Sequence, residues 1–217
     1  MKGLPVLLIS LPLFLFGQRV VGQDSSSRFS VVLSPALFIP VSVAAQVGVQ
    51  YKITRRWSAL AEAAFPTFYP NNTDYEKISY WRTGVEMKYQ RKRANFSNTY
   101  VSLQINYLFR KLVDRDQGFY YTKTQTFSYH NATISTPVIS SAIKIGAELA
   151  LGKRTFIDAF IGGGSRAIFT RYSPEKTFVT STEPQKQDFL KFDNAWLFNY
   201  TLIRLHFTAG LRFGLRL

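Results

Sequence analysis

Cysteine is absent from the 217-residue sequence and histidine occurs only twice, which limits the chemistry open to the chain. A chain without cysteine has no disulfide, no thiolate metal ligand and no lipid-modified cysteine. Nucleophilic catalysis by a hydroxyl needs a histidine and a carboxylate in reach, and His206 with Thr208 is the one such pair close in sequence. We therefore expect no metal, no cofactor and no catalytic residue, and predict that the protein is not an enzyme.

Motifs of nucleotide-binding and hydrolytic enzymes are missing as well. The sequence has no P-loop, no G-x-G-x-x-G, no H-E-x-x-H and no G-x-S-x-G. The glycine run Gly162, Gly163 and Gly164 lies inside a strand pattern, where glycine marks a bend or a close approach of two backbones. We interpret this run as structural, because no helix follows it that could bind phosphate.

Long apolar runs are also rare, since one occurs near the start of the sequence and none elsewhere. Residues 4–16 are apolar apart from Ser10 and two prolines, and Lys2 precedes them. The run is shorter than the roughly 20 apolar residues of a spanning helix, and it has the charged start and apolar middle of a secretory signal. We predict a cleaved signal peptide over residues 1–22 and a single domain over residues 23–217.

Acidic residues are few, because 13 Asp and Glu stand against 27 Lys and Arg and the formal net charge is +14. Such an excess favours an anionic partner or surface. The basic residues are spread along the chain and gather only at Arg91, Lys92 and Arg93, which argues against nucleic acid as the partner. Anionic lipid headgroups are the partner that we expect at the basic turns.

Alternation of apolar and polar residues is what the sequence has in quantity. From Ile203 to Leu217 apolar residues occupy every second position, and polar residues such as Arg204 and Arg212 lie between them. Strict alternation predicts a β-strand with one apolar and one polar face. Four further segments share the pattern and three weaker ones complete a set of eight: residues 29–38, 43–53, 58–65, 82–90, 101–110, 143–151, 155–169 and 203–217.

The connections between these segments alternate in length. Residues 54–57, 91–98 and 152–154 are short, whereas residues 66–78, 111–137 and 171–195 are long and rich in Tyr, Thr, Asn and Pro. Bacterial outer-membrane barrels pair short periplasmic turns with longer external loops in this way. The expected fold is all-β, an eight-stranded antiparallel up-and-down transmembrane β-barrel located in the cell outer membrane.

The polar face of the predicted strands carries charges of both signs. The interior of an eight-stranded barrel is just filled by side chains, and buried charge is tolerated only when it is paired. These carboxylates are therefore interpreted as partners of the cations and not as a general acid and base. We predict an ion-pair network in the lumen formed by Glu62, Arg82, Glu86, Lys88, Lys144, Glu148, Asp158, Arg204 and Arg212.

The connection over residues 111–137 contains the run FYYTKTQTFSYH, in which aromatic and polar residues alternate. We expect this run to extend the strands beyond the membrane as a hairpin. Its aromatic side chains are the predicted contacts for a surface partner, namely Tyr120, Tyr121, Phe127 and Tyr129.

Three runs of the sequence, GVEMKYQRKR, YVSLQINYLFRK and SAIKIGAELALGKRTFIDAFIGGGSR, combine a strand with Glu and Lys, a basic turn, a Tyr-led strand and a glycine-rich strand after a G-K-R turn. In these features the chain resembles the small outer-membrane β-barrel family of Bacteroidota, a domain of unknown function with an outer-membrane protein A/X-like barrel. The resemblance implies the barrel fold and no particular activity.

The sequence leaves three functions open. The favoured one is a non-enzymatic outer-membrane protein, a monomer surrounded by lipopolysaccharide and phospholipid, with a structural role or a surface-interaction role through its long loops. The alternatives are an outer-membrane lipid-modifying enzyme and a periplasmic lipocalin-like carrier of an apolar ligand, whose apolar face would point inward. The direction of the apolar face of residues 203–217 separates the carrier from the other two.

Overall fold

A computed structural model describes residues 28–39, 42–68, 75–92, 97–114, 118–182 and 197–217 of the chain. The predicted signal peptide over residues 1–22 lies outside these ranges. Within them the structure is all-β and contains no α-helix, as the alternating sequence predicts. None of the described residues forms a helix of the length and apolarity needed to cross a membrane.

The strands of the described residues fall into a long and a short class. The long strands are β1 Phe29–Ile39, β2 Ser42–Lys52, β3 Trp57–Phe68, β4 Tyr75–Lys92, β5 Ser97–Asp114, β9 Val138–Ala150, β10 Thr155–Phe169 and β13 Thr201–Arg216. The short strands are β6 Gly118–Tyr121, β7 Thr126–Tyr129, β8 Ala132–Ser135, β11 Arg171–Pro174 and β12 Thr177–Ser181.

Each of the eight predicted segments overlaps one long strand, and the differences lie at the strand ends and in the connections. β4 and β5 extend well past the predicted residues 82–90 and 101–110, because they stay paired with each other as far as Tyr75 and Asp114. The short strands lie in the long connections, residues 111–137 and 171–195, where the sequence predicts only the hairpin of the run FYYTKTQTFSYH. Segments of four or five residues show too few alternations to be recognised as strands.

The long strands pair antiparallel in an order that returns to its start. β4 pairs with β3, β3 with β2, β2 with β1, β1 with β13, β13 with β10 and β10 with β9. β5 pairs with β4 along one edge and with β9 along the other. Every long strand therefore has a neighbour on both sides, and none of them presents a free edge that would attract another chain.

The two faces of this sheet have the reverse of the polarity expected for a protein in water. Along β13, Phe207 and Leu211 are 70% and 55% exposed, whereas Arg204 and Arg212 are 3% and 1% exposed. Because successive side chains of a strand point to opposite faces, the same division continues along the neighbouring strands. Further apolar side chains on the exposed face are Val85, Val101, Ile143, Ile145 and Ile161.

The two ends of the sheet differ in their connections. At one end, the turn side, residues 53–56 form a tight turn in which Thr54 Oγ1 accepts hydrogen bonds from the backbone N–H groups of Arg56 and Trp57 at 3.2 and 3.0 Å. A second tight turn covers residues 151–154. At the other end β6, β7 and β12 form a separate three-stranded sheet, and β8 pairs with β5 and β11. We call residues 118–135 and 171–181 the loop-side lobe.

Candidate functional site

Four carboxylates and three cations meet on the buried face of the sheet, and none is more than 7% exposed. The cross-strand register explains why they meet, since Asp158 lies directly opposite Glu148 on one side and Arg212 on the other. All seven belong to the set predicted from the sequence. We call them the charge network: Glu62, Glu86, Glu148, Asp158, Lys88, Lys144 and Arg212.

Lys88 uses its ammonium group to join strands across the interior. Its Nζ donates to Asp158 Oδ2 at 2.7 Å, to Glu148 Oε1 at 3.1 Å and to Gln50 Oε1 at 3.1 Å. An ammonium has three N–H donors, so these three acceptors satisfy it completely. β4, which carries Lys88, is not a neighbour of β10, which carries Asp158. The ion pair therefore links opposite parts of the sheet rather than adjacent strands.

Arg212 joins three carboxylates that come from three strands. Its Nη1 donates to Asp158 Oδ2 at 3.0 Å, and its Nη2 donates to Glu62 Oε2 at 2.8 Å and to Glu86 Oε2 at 2.9 Å. Glu86 Oε2 also accepts a hydrogen bond from Lys144 Nζ at 2.5 Å. Glu86 is thus held between two cations, and a buried charge paired in this way becomes costly when one partner is removed.

Neutral polar side chains complete the hydrogen bonding of the network. No local sequence pattern distinguishes them, although they occupy the same alternate positions as the charges. Parity assigns a residue to the buried face, but it does not say which charge the residue will contact. The donors are Gln50 and Gln90 to Glu148 at 3.0 and 3.1 Å, Tyr100 to Asp158 at 2.7 Å, Ser102 to Glu86 at 2.6 Å and Gln104 to Glu62 at 3.2 Å.

Glycines on the buried face make room for aromatic rings that pack against the cations. The ring centroid of Phe160 lies 4.0 Å from Lys144 Nζ and 4.3 Å from Arg212 Cζ, in the cation–π arrangement. Directly opposite Phe160 is Gly210, where an added Cβ would lie 2.8 Å from the ring. In the predicted glycine run, a Cβ on Gly164 would collide with the backbone of β9, as expected for a close approach of two strands.

Arg82 and Arg204, the two remaining residues of the predicted network, lie on the same face but nearer the loop side. Arg204 is 3% exposed and is the direct cross-strand partner of Arg166 on β10. Arg82 and Arg166 are half-buried, and neither forms an ion pair with any described residue. His206, opposite Gly164, is also half-buried. We call Arg82, Arg166, Arg204 and His206 the cationic group.

The predicted hairpin is present in the loop-side lobe, where β6 and β7 pair with Tyr120 opposite Phe127. The expectation that all four of its aromatic residues are displayed is wrong for two of them, because Tyr120 and Tyr129 are 6% and 3% exposed. Burial also raises the pKa of the Tyr120 phenol. Tyr121 and Phe127 are half-buried.

The burial of Tyr120 and Tyr129 follows from the length of β5. Its continuation carries Leu112 and pairs with β8, which carries Ile134 directly opposite, and the two tyrosines pack on this apolar pair. Tyr129 also donates a hydrogen bond to Asp114 Oδ2 at 2.8 Å. The aromatic side chains that the lobe does expose are Phe119 and Phe178, at 46% and 57%.

The chemistry of the charge network is neutralisation of charge. Each of its four carboxylates accepts a hydrogen bond from at least one cation. Across the described ranges no group of three or more His, Cys, Asp or Glu side chains is placed to hold a metal ion. The arrangement links strands through the interior and fixes their register.

Residues 21–200 of the chain match the model of a protein family described as "Protein of unknown function (DUF3575)". The match covers well over half of the chain. No curated protein and no solved structure matches the sequence.

Proposed function

The chain belongs to the DUF3575 family, whose function is unknown, and we propose that it is a non-enzymatic integral protein of the outer membrane. In this proposal the eight long strands form a closed transmembrane β-barrel, and the loop-side lobe projects from the membrane toward a surface partner. The observation that carries the proposal is the reversed polarity of the sheet, with apolar side chains exposed around a buried charge network.

The cyclic order of pairing supports the barrel. A sheet in which each long strand has two neighbours closes on itself, and eight strands enclose a space that side chains just fill. The charge network, with Phe160 and Tyr100 packed against its cations, supplies such a filling. A plugged interior of this kind serves stability and leaves no open channel.

The exposed face supports insertion into lipid. Large contiguous apolar patches are rare on proteins that are surrounded by water, and patches beyond a few hundred Å² mark contact with a membrane or another protein. Here the apolar face continues around the strands, with Val85, Val101, Ile143, Ile161 and Leu211 each more than half exposed. Hydrocarbon removes the cost of exposing these side chains to water.

Aromatic pairs at two levels of the exposed face have the spacing of membrane girdles. Near the turn side, Trp57 and Tyr89 have ring centroids 5.1 Å apart, and toward the loop side Trp81 and Tyr107 have centroids 5.2 Å apart. Trp81 and Tyr89 lie eight residues apart on β4. The distance between them is about 26 Å along the strand, which becomes about 20 Å along the axis of a barrel whose strands tilt by about 40°. A transmembrane barrel has an apolar band of roughly 25 Å, so the two aromatic levels would lie near its two edges.

Lipid headgroups and a surface molecule are the partners in this proposal. Arg55, Arg56, Lys153 and Arg154 are exposed in the tight turns, where anionic phospholipid headgroups of the periplasmic leaflet would attract them. The opposite leaflet would place lipopolysaccharide around the loop-side ends of the strands. Phe119 and Phe178 on the loop-side lobe are the contact residues that we propose for the surface partner.

The two alternative functions fit this geometry less well. A lipocalin-like carrier holds its ligand against an apolar interior, whereas the interior here is lined by ion pairs. A lipid-modifying hydrolase requires a Ser/His/acid cluster at the membrane rim. His206, the histidine that forms the local pair with Thr208, lies instead on the buried face of β13.

Fractionation of the cell envelope combined with gel mobility tests the proposal. The protein should sediment with outer membranes, resist extraction by high salt, and migrate faster on a gel before boiling than after it, as a folded barrel does. Recovery in the periplasmic fraction, or equal mobility before and after boiling, would contradict it. Treatment of intact cells with a protease that cuts only in the loop-side lobe would then establish which way the barrel faces.

A further inference from the structure

An apolar groove of about 1070 Å³ crosses the exposed face of the sheet. Its lining residues come from β4, β5, β9, β10 and β13, which are consecutive neighbours in the ring of strands. Four interstrand spacings of about 4.8 Å give the groove a length of about 19 Å. Its volume is that of a site for a small organic molecule, and its length suits an extended hydrocarbon chain.

The groove is a depression between longer apolar side chains. On β9, Ala147 is half-buried and lies between Ile145 and Leu149, which point to the same face and are both exposed. Directly opposite Ala147 on β10 is Ala159, which is also half-buried, and Ile161 two residues further along is exposed. The two alanines therefore form the floor of the groove, and the branched side chains on either side form its borders.

The groove rises from the turn side of the sheet toward its middle. At one end Arg91 lies one residue from the end of β4, and at the other end Leu211 lies five residues from the end of β13. Between them, Thr99, Ala147 and Ala159 lie two, three and four residues from the turn-side ends of β5, β9 and β10. A molecule that fills the groove would have one end at the turn-side rim and the other end deep in the apolar face.

Positive charge lies at the rim end of the groove. Among the described residues that line the groove, Arg91 carries the one charge. Tyr89 lines the groove beside it, and Arg56 Nη1 donates a hydrogen bond to the Tyr89 hydroxyl at 3.3 Å. Both arginines are exposed, so an anionic group at the rim can reach them. The combination of charge at the rim and apolar lining above it is complementary to an anionic headgroup with a hydrocarbon tail.

We propose that this groove binds one molecule of an anionic phospholipid, with an acyl chain on Ala147 and Ala159 and the headgroup phosphate at Arg91 and Arg56. The planar fork of a guanidinium matches the oxygens of a phosphate and donates charge-assisted hydrogen bonds to them. The proposal rests on the proposed function, in which the turn side meets the periplasmic leaflet. That leaflet offers phospholipid, whereas lipopolysaccharide surrounds the opposite ends of the strands.

The test titrates the refolded chain in detergent micelles with phosphatidylglycerol and follows the thermal unfolding midpoint. A ligand that binds only the folded state raises the midpoint in a saturable manner. Ala159→Leu fills the groove and Arg91→Gln removes the rim charge, and each should raise the dissociation constant about tenfold or more. The matched controls are Ala61→Leu on the exposed face of β3 and Arg28→Gln just before β1, since both residues are exposed and neither lines the groove. Both controls should bind like the parent.

A second lipid separates the headgroup contact from general affinity for hydrocarbon. Phosphatidylcholine with the same acyl chains has no net charge, so the parent should bind it about tenfold more weakly than phosphatidylglycerol, and Arg91→Gln should lose this preference. Equal affinity of the parent for the two lipids, or binding by both groove variants that equals binding by the controls, would overturn the proposal. If Ala159→Leu does not fold, Arg91→Gln still decides the outcome, because its side chain is exposed.

Two other outcomes are distinguishable from a lipid site. A parent that is dimeric in mild detergent, with Ala159→Leu monomeric, would assign the groove to a second copy of the chain and overturn the proposal. Recovery of the chain with outer membranes together with failure of the lipid titration would remove the lipid site and leave the proposed function standing. Recovery in the periplasmic fraction would contradict the proposed function itself, and with it the leaflet that supplies the lipid.

Discussion

Replacement of Glu86 by leucine is the sharpest perturbation of the charge network. Glu86 is 1% exposed and accepts hydrogen bonds from Lys144 Nζ at 2.5 Å, Ser102 Oγ at 2.6 Å and Arg212 Nη2 at 2.9 Å. In Glu86→Leu, Arg212 keeps Glu62 and Asp158, but Lys144 loses the carboxylate with which it forms its ion pair. An uncompensated buried charge of this kind costs about 3 to 5 kcal/mol, so we expect a loss of that size in the free energy of unfolding.

Guanidinium or urea unfolding of the refolded chain in detergent, followed by the fluorescence of its three tryptophans, measures this loss. The matched control is Glu175→Leu, because Glu175 is exposed and its contact with Asn131 should contribute less than about 1 kcal/mol. The double variant Glu86→Leu with Lys144→Met should recover most of the stability, since an apolar pair can replace a buried ion pair at little cost. Stability of Glu86→Leu equal to that of the parent, or a double variant as unstable as the sum of the single ones, would refute the reasoning.

Three further changes test the exposed apolar face, the packing and the loop-side lobe. Leu211→Arg should block membrane assembly, because an arginine at the membrane midplane costs about 2 to 4 kcal/mol. The control Thr124→Arg, in the loop-side lobe, should assemble normally. Equal yields of folded protein from the two variants would show that Leu211 does not face lipid. Gly210→Ala should destabilise the chain by about 1 to 3 kcal/mol in denaturant titration, because its Cβ would meet the Phe160 ring, whereas Gly163→Ala, with no neighbouring atom closer than 3.8 Å, should not. Replacement of residues 118–129 by a Gly/Ser turn should leave the heat-modifiable gel mobility intact and abolish binding of any surface partner. Loss of the heat-modifiable mobility would mean that the loop-side lobe is required for folding.

The fold was largely predictable because alternation over ten or more residues has only one structural explanation. Ile203 to Leu217 shows it most clearly, and the structure places strand β13 there. Alternation also predicts the face that each residue occupies, so the sequence alone places Glu86, Lys144 and Arg212 together on the polar face. Of the short strands, the sequence predicts only the hairpin that β6 and β7 form. β8 pairs with the distant extension of β5 and β12 pairs with β7, so no local pattern reveals either strand.

The partners within the charge network could not be predicted. Lys88 Nζ contacts Asp158 Oδ2 across the interior. Whether the two side chains can meet depends on how far the strands are staggered around the ring, and no local segment of the sequence encodes that stagger. Tyr120 and Tyr129 show the same limit, because alternation places aromatic residues on a hairpin without revealing that Leu112 and Ile134 lie beneath it. Arg166 is absent from the predicted ion-pair network, because the glycine run just before it in sequence indicates a bend in the strand and not a charged face.

The position of Arg212 has a consequence for how the ring of paired strands is assembled. β13 joins the ring between β1 and β10, and its guanidinium is shared by Glu62, Glu86 and Asp158. Before β13 arrives, the network holds four negative charges against the two positive charges of Lys88 and Lys144. A strand inserted one residue out of register would bring Leu211 to the carboxylates and turn Arg212 to the exposed apolar face. We therefore expect the electrostatics of the interior to act as an assembly checkpoint, in which an incomplete or misaligned ring repels itself and only the correctly closed one is neutralised.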